Sequence, residues 1–472
     1  HRPCVMVALD GGRGRGSGRS ISAFDLHAGL AACSGHLLRF GGHRAAAGLE
    51  IDAGQLDAFR EAFVSHAASV LSPSDLVPVE RVDAVVGPDR LGVPLAEELE
   101  RLRPFGHGNP QPTLLVPAAR VSDVRSMGEE KQHSRFTIAG GGARARAVAF
   151  RTAAGSLPAS LEDRHDAAVR LELNEWNGAV EPRLVLRALC PTEAGECRPV
   201  VAGGRFTEVF EEELRAGPVG SRPAHTSLRS ARTVRLPATR PIGAGGGRSV
   251  RDARGLGFAG LAGDLLSSGE SVAIVCADVF RRRPGLEEVV GGIVRAVAGE
   301  VEVECPALVS WDDLVADPAL AGEHRHLLAL DSPLEPGAVE AVAASPAEPG
   351  ALLHLAWGLA EAEFALAVAR AELDLRPAVT ALYRALRDAA AQPAALEPVL
   401  MELGLAPRVA ARAVRVLVEL GLVELDGAAE ALTFALLPAG RTDLERSPTF
   451  SACAARLASA ERELAAIAPR AA

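Results

Sequence analysis

The sequence predicts a multi-domain chain of α/β and β modules: a small α/β domain first, a small β-barrel second, and a larger α/β domain that ends in three helices and a hairpin. Three observations predict this. Apolar spacing alternates between strand-like and helical over residues 1–73, marks only short strands over 113–190, and alternates again after 231. A length of 472 residues suits about three domains. A stretch rich in Glu, Gly, Arg, Pro and Ser at 191–230, with little periodicity, reads as a linker between the second and third.

Residues 1–10 open with the apolar run Cys4-Val5-Met6-Val7-Ala8-Leu9, a strand. Residues 11–20 read as a loop, Arg13-Gly14-Arg15-Gly16-Ser17-Gly18-Arg19-Ser20. Flexible backbone, hydroxyls and guanidiniums together suit phosphate oxygens. Phe24, Leu26, Leu30, Leu37 and Leu38 mark a helical stretch. A second glycine-rich loop follows, Phe40-Gly41-Gly42-His43-Arg44-Ala45-Ala46-Ala47-Gly48, leading into the strand-like Leu49-Glu50-Ile51. Paired glycines allow positive φ and close backbone approach. They set His43 on a tight turn whose amides can face an anion. Leu56, Phe59, Phe63, Ala67 and Val70 recur at helical spacing up to Pro73. Either loop alone is most simply a turn.

Residues 74–112 connect, with a short helix from Leu91 into Pro104-Phe105-Gly106-His107-Gly108-Asn109-Pro110-Gln111-Pro112. Strands are expected at 113–116, 120–125, 134–138, 143–150, 167–175 and 183–189. Short strands with Gly-rich turns suggest a small barrel, and an OB-fold would offer a basic groove with aromatic platforms for single strands. Arg125, Lys131, His133 and Arg135 cluster about one hairpin, either as a solvated surface or as a contact for a nucleic-acid backbone. Trp176 either stacks a base or closes the barrel hydrophobically.

Over 231–375, strands at 271–277, 326–330 and 351–356 alternate with helices near 255–267, 284–298 and 336–344, the pattern of a doubly wound parallel sheet. Gly243-Ala244-Gly245-Gly246-Gly247-Arg248-Ser249 invites comparison with a phosphate-binding P-loop. It fails, because Ile242 and Arg248 stand where the first glycine and the lysine belong. Asp278 and Asp331 follow strands and read as turn residues. Residues 377–437 give three amphipathic helices and a hairpin around Asp426-Gly427, a winged-helix pattern. Its third helix offers Arg408, Arg412 and Arg415, but the acidic surroundings favour protein binding or packing. Residues 441–472 read as a helical, Ala-rich tail.

The net charge of −10 is unevenly spread. Residues 1–190 hold 22 basic and 22 acidic side chains, and the rest hold 28 and 38. Basic residues concentrate at 1–48 and 102–151, as a nucleic-acid ligand requires. The 7 cysteines are scattered without a Cys-x-x-Cys pair, which argues against a zinc site or a disulfide framework. No apolar run reaches membrane-spanning length, so a cytoplasmic protein without a membrane partner is expected.

The Gly-Ser-Gly-Arg-Ser segment, followed by Phe24-Asp25-Leu26-His27 and then Gly-Gly-His-x-x-Ala-Ala-Gly, resembles the DHH-associated domain of the RecJ family of single-strand-specific DNA exonucleases. Other DHH phosphoesterases share that domain. The 104–112 segment is similar to the one that enters the RecJ OB-fold, and Asn174-Glu175-Trp176-Asn177-Gly178 resembles a segment joining two late barrel strands. Residues 231–375 are similar to an extra C-terminal domain of some RecJ proteins. The resemblance implies a metal-dependent 5′→3′ exonuclease of DNA repair and recombination. Its Mn²⁺ or Mg²⁺ sits on a domain bearing an Asp-His-His motif, which does not occur here. The expectation is therefore a C-terminal fragment that binds no metal itself and is inactive alone. By the same resemblance, His43 acts at the scissile phosphate. Gly16, Ser17, Gly18, Arg19, Ser20, Gly41, Gly42 and Gly48 hold substrate phosphates, and Arg125, Lys131, His133, Arg135 and Trp176 contact single-stranded DNA. The acidic half is left for a single-strand-binding protein or a helicase. Two alternatives stand beside this: a DHH-type phosphodiesterase of short oligonucleotides or cyclic dinucleotides, which should lack the barrel, and a non-catalytic single-strand-binding or scaffolding protein.

Overall fold

The computed structural model describes residues 1–106, 108–140, 143–158, 160, 162–176, 178–201, 205–217, 247–297, 304–389, 394–427, 432–438 and 442–467. Two compact units divide the chain, His1–Arg81 and Val82–Ala472.

In the first unit four antiparallel strands, β1 (Cys4–Asp10), β2 (Arg13–Arg19), β3 (Arg39–Gly42) and β4 (Ala46–Asp52), lie in the order β1-β2-β4-β3. Helices α1 (Leu26–Ala32) and α2 (Leu56–Val70) cover one face around Phe24, Leu26, Leu30, Ile51, Phe59 and Phe63. The Asp25 side chain starts α1 by accepting the Ala28 N–H at 3.0 Å. The expected loop at 11–20 is corrected here: Arg13–Arg19 is an interior strand of the sheet. Its glycines are required by packing. A Cβ would lie 2.7 Å from Val7 at Gly14, 2.8 Å from Leu49 at Gly16 and 2.8 Å from Leu26 at Gly18. Every second residue of a strand shares a face, so Arg13, Arg15, Ser17 and Arg19 all point away from the helices and are exposed.

The second unit begins with a barrel. A short strand β5 (Ala84–Val85) and helix α3 (Val93–Glu100) precede β6 (Leu114–Met127), β7 (His133–Gly140), β8 (Ala143–Ala149), β9 (His165–Trp176) and β10 (Ala179–Pro191). The order β6-β7-β8-β10-β9 closes by β9 pairing with β6, and only β8 and β10 run parallel within it. This is the five-stranded OB arrangement. Leu114, Val116, Val121, Phe136, Ile138, Val169 and Leu184 fill its interior. The strands expected at 113–116 and 120–125 are one bent strand, with register breaks at Val116/Ala119 and Ser122/Arg125 and positive φ at Ala118 and Asp123. Bulges of this kind let one strand turn a barrel corner.

Part of the expected linker is ordered structure. Arg198–Pro199 forms β11 and Phe206–Arg215 forms α4, whose Phe210 is buried in the C-terminal core; residues 218–230 lie outside the described residues. Strand β11 edges a six-stranded, all-parallel sheet with β12 (Ser249–Asp252), β13 (Val272–Cys276), β14 (Ala307–Ser310), β15 (His326–Ala329) and β16 (Leu352–Leu355), in the order β11-β14-β13-β15-β16-β12. Helices α5 (Phe258–Ser267) and α6 (Val279–Val297) cover one face. Helices α7 (Trp311–Ala316), α8 (Ala319–Gly322) and α9 (Ala338–Ala343) cover the other. Helix α6 also lies against the barrel: a Cβ at Gly292 would meet Asp166 at 2.6 Å and Pro117 at 2.9 Å. Helix α10 (Leu359–Leu373) leads into α11 (Leu375–Asp388), α12 (Leu396–Leu403) and α13 (Pro407–Glu419). The three-stranded sheet β17 (Ala394–Ala395), β18 (Val423–Asp426) and β19 (Thr433–Leu436) completes the winged-helix pattern, and α14 (Pro448–Ile467) packs on α10.

Candidate nucleic-acid interface

In the first unit, strand pairing joins two motifs that are separate in sequence. Ser17 lies opposite Gly48, and Arg19 lies opposite Ala46, in the β2–β4 ladder; Gly41 lies opposite Gly48 in the β3–β4 ladder. The Ser20 N–H donates to Ala45 O at 2.9 Å, so the Gly-Ser-Gly-Arg-Ser segment ends against the tip of the β3–β4 hairpin. At that tip the His43 N–H donates to Ala46 O at 2.8 Å, and the exposed imidazole has no hydrogen-bond partner among the described residues. Gly42 adopts φ +143°, and a Cβ there would lie 2.5 Å from Ala47 Cα. Gly16 and Gly18 face the helices instead of a ligand, whereas Gly41 and Gly48 lie on the open face with Ser17. A Cβ at Gly41 meets nothing within 4 Å. The open face thus carries a bare strip, Ser17-Gly48-Gly41, flanked by Arg19 on one side and by Arg15 and Arg39 on the other.

In the barrel, β6, β7 and β8 turn a basic face outward. Arg125 stands directly opposite Arg135, Arg146 opposite Thr137, and both Arg120 and Arg144 opposite Ala139. Among the described residues none of these five arginines has an ion-pair partner. Arg183, on β10, by contrast is paired with Glu172 at 3.0 Å and Asn174 at 2.7 Å. Like charges directly across a ladder are destabilising, so an Arg–Arg pair among unneutralised arginines is an arrangement that a bound polyanion relieves. Arg120, Arg144 and Arg146 were missed in the sequence; the period-two run Ala143-Arg144-Ala145-Arg146 was the available signal for the last two. Lys131 holds the β6–β7 turn at φ 53°, exposed. The His133 Nδ1 accepts the Arg151 N–H at 2.8 Å. The Trp176 backbone pairs with Ala179, and its side chain lies outside the described residues.

Other sequence candidates have structural duties. Asp331, read as a turn residue, is fully buried; it accepts the Ala277 N–H at 2.9 Å and Arg282 Nε at 3.1 Å, and the Arg282 guanidinium lies over the Phe364 ring. Burial pushes its carboxyl above the usual range. Gly243–Gly246 lie outside the described residues, but Arg248 is buried and donates to the carbonyls of His324 at 2.6 Å and Arg325 at 3.3 Å. Burial brings its pKa down to about 10. It ties the start of β12 to the segment between α8 and β15, where a P-loop lysine would face phosphate. The arginines of α13 are also spent on packing. Arg412 pairs with Glu213 at 2.9 Å, and Arg408 lies 3.7 Å from Asp312. Among the described residues no group of three or more His, Cys, Asp or Glu side chains fits a metal ion, and no helix is long and apolar enough to cross a membrane.

Known proteins resemble the same regions. The family model for the RecJ OB domain matches residues 82–188, taking in the connecting helix as well as the barrel. Single-stranded-DNA-specific exonuclease RecJ of Bacillus subtilis is 33% identical over 198 residues, 41% of this chain and 25% of that protein. Its counterpart in Thermus thermophilus is 32% identical over 177 residues, 38% of this chain and 24% of that protein. The chain thus spans about a quarter of the length of these curated relatives. The crystal structure of RecJ from Thermus thermophilus with Mg²⁺ aligns over 75% of this chain and 40% of that one, at 20% identity and a TM-score of 0.33. Residues 82–188 therefore match the RecJ OB domain, and the chain is similar, over about two-fifths of its length, to the single-stranded-DNA-specific exonucleases of the RecJ family.

Proposed function

We propose that this chain supplies the DNA-gripping part of a RecJ-like 5′→3′ exonuclease, acting in the cytoplasm on single-stranded DNA. The observation that carries the reading is the outward barrel face, where Arg125 opposes Arg135 beside Arg120, Arg144 and Arg146 without acidic partners among the described residues. Guanidiniums on such a face neutralise backbone phosphates. In the first unit, Ser17, Arg19 and the tip amides hold phosphate, the bare strip at Gly41 and Gly48 lets the backbone come close, and His43 faces the reacting group. In this proposal the Mn²⁺ or Mg²⁺ of the family is held by an Asp-His-His domain and not by the barrel or the first unit. A single-strand-binding protein or helicase on the acidic half is part of the same proposal. The barrel weighs against the short-oligonucleotide phosphodiesterase. An Asp-His-His motif encoded upstream of His1 would support the exonuclease over a stand-alone binding protein.

The purified chain is expected to bind single strands more tightly than duplex, with log affinity falling linearly with log salt. Arg144→Gln and Arg146→Gln should each weaken binding of all sequences alike and reduce the salt slope by about 1. A flat salt response measured by fluorescence anisotropy, or equal affinity for duplex, would overturn the barrel assignment. The same chain, incubated with Mn²⁺ and labelled single-stranded DNA, should release no nucleotide; robust release would place catalysis within it.

A further inference from the structure

The basic barrel face ends in a row unlike the rest. Met127 lies opposite His133 in the β6–β7 ladder, and Ser134 opposite Ala149 brings His133 beside Phe150 at the end of β8. The Phe150 ring meets the His133 ring edge-on, with centroids 5.5 Å apart and planes at 80°. The His133 ring is itself fixed through Nδ1 by the Arg151 N–H. Phe150 is 48% exposed and stands outside the apolar core of the barrel, although aromatic residues are scarce in this chain at 4%. The residue after it, Arg151, holds a left-handed φ of 55°. A non-glycine residue in that region costs conformational energy. The turn therefore carries backbone strain and apolar exposure while holding the half-exposed Phe150 ring against His133.

The next row inward is Arg125 and Arg135. Rows two residues apart along a strand are separated by about 6.6 Å, the order of the distance from a phosphate to the base it carries. An extended single strand whose phosphates lie on the arginines would set its bases over the Phe150 row. Duplex DNA keeps its base faces stacked and cannot.

We propose that Phe150, braced by His133, is the base-stacking platform by which the barrel selects unpaired bases. This rests on the barrel face being the DNA interface, and the test separates the two. Affinities of the full chain are measured for an oligothymidylate, for an abasic strand of the same length, and for duplex. Phe150→Ala and Phe150→Leu should weaken oligothymidylate binding by on the order of ten- to a hundredfold. Abasic-strand affinity and the melting temperature should stay as in wild type, and Phe150→Tyr should retain binding. Equal losses on the abasic strand, or no loss on either, while Arg144→Gln and Arg146→Gln still weaken both, would overturn the platform and leave the interface standing. If the arginine variants change nothing, the interface reading fails and the platform with it.

Discussion

Arg412→Ala should lower the stability of the second unit by about 3–5 kcal/mol, the usual result of removing one partner of a buried ion pair. The Arg412 side chain is 5% exposed and Glu213 is 13% exposed, at 2.9 Å. Arg412 also donates to the Glu372 carbonyl at 3.1 Å. Burial alone would lower the Arg412 pKa; Glu213 and Glu372 together outweigh it and leave the guanidinium more firmly charged than usual. Without Arg412, Glu213 stays inside without the guanidinium that hydrogen-bonds it. Replacing both, as Arg412→Met with Glu213→Leu, should recover most of the loss, because an apolar pair of similar volume carries no desolvation cost. Chemical denaturation of the three variants measures this; a loss below about 1 kcal/mol in Arg412→Ala would show that the pair is solvated. DNA affinity of any folded Arg412 variant should match wild type, since this helix meets α4 where a DNA-reading winged helix would meet a groove.

That helix shows what could be read from sequence and what could not. Its apolar face at Val409, Ala413, Val416 and Leu417 was legible from spacing. The fate of Arg412 was not, because its partner Glu213 lies far upstream, in a stretch whose composition resembles a linker. The parallel sheet was legible where strands are fully apolar, as at 272–276. It was missed at β12, where Ser249-Val250-Arg251-Asp252 runs along an exposed edge, at the two-residue β11, and even at the buried Ala307-Leu308-Val309-Ser310 of β14, whose four residues are too short a run to stand out. The Gly/Arg segment failed in a more instructive way. Glycines at every second position look like a turn when counted, yet here they are the strand residues that let the sheet lie flush on α1. Only the partners across the ladder, Leu49 and Val7, distinguish the two. The site suffered the same limit. Lys131, His133 and Arg135 were singled out because they are near neighbours in sequence, whereas Arg144 and Arg146 join them across the β7–β8 ladder, with only the period-two run at 143–146 to hint at it.

Gly42→Ala and His43→Ala should fail in opposite ways, and the difference tests whether the hairpin tip works on a phosphate or only turns the chain. Gly42 sits at φ +143° with Ala47 Cα and Ala46 O at 2.5 and 2.6 Å from any added Cβ. Both atoms are backbone and cannot move aside cheaply, so Gly42→Ala should distort the tip and lower the melting temperature. His43 is exposed and makes only main-chain bonds with Ala46, which do not depend on its side chain. His43→Ala should therefore leave the melting temperature nearly unchanged, within the roughly 1 kcal/mol of a single hydrogen bond. In a longer protein that carries the metal-binding domain, the same change should cut turnover on single-stranded DNA by roughly a hundredfold or more, the scale of losing one donor that stabilises charge in the transition state. Gly41→Ala supplies the control: its added methyl meets nothing within 4 Å, so the fold accepts it. A drop in turnover there would report that a backbone must approach the bare strip. Near-wild-type turnover in well-folded His43→Ala and Gly41→Ala proteins would place the reacting phosphate away from this hairpin, leaving it a structural turn.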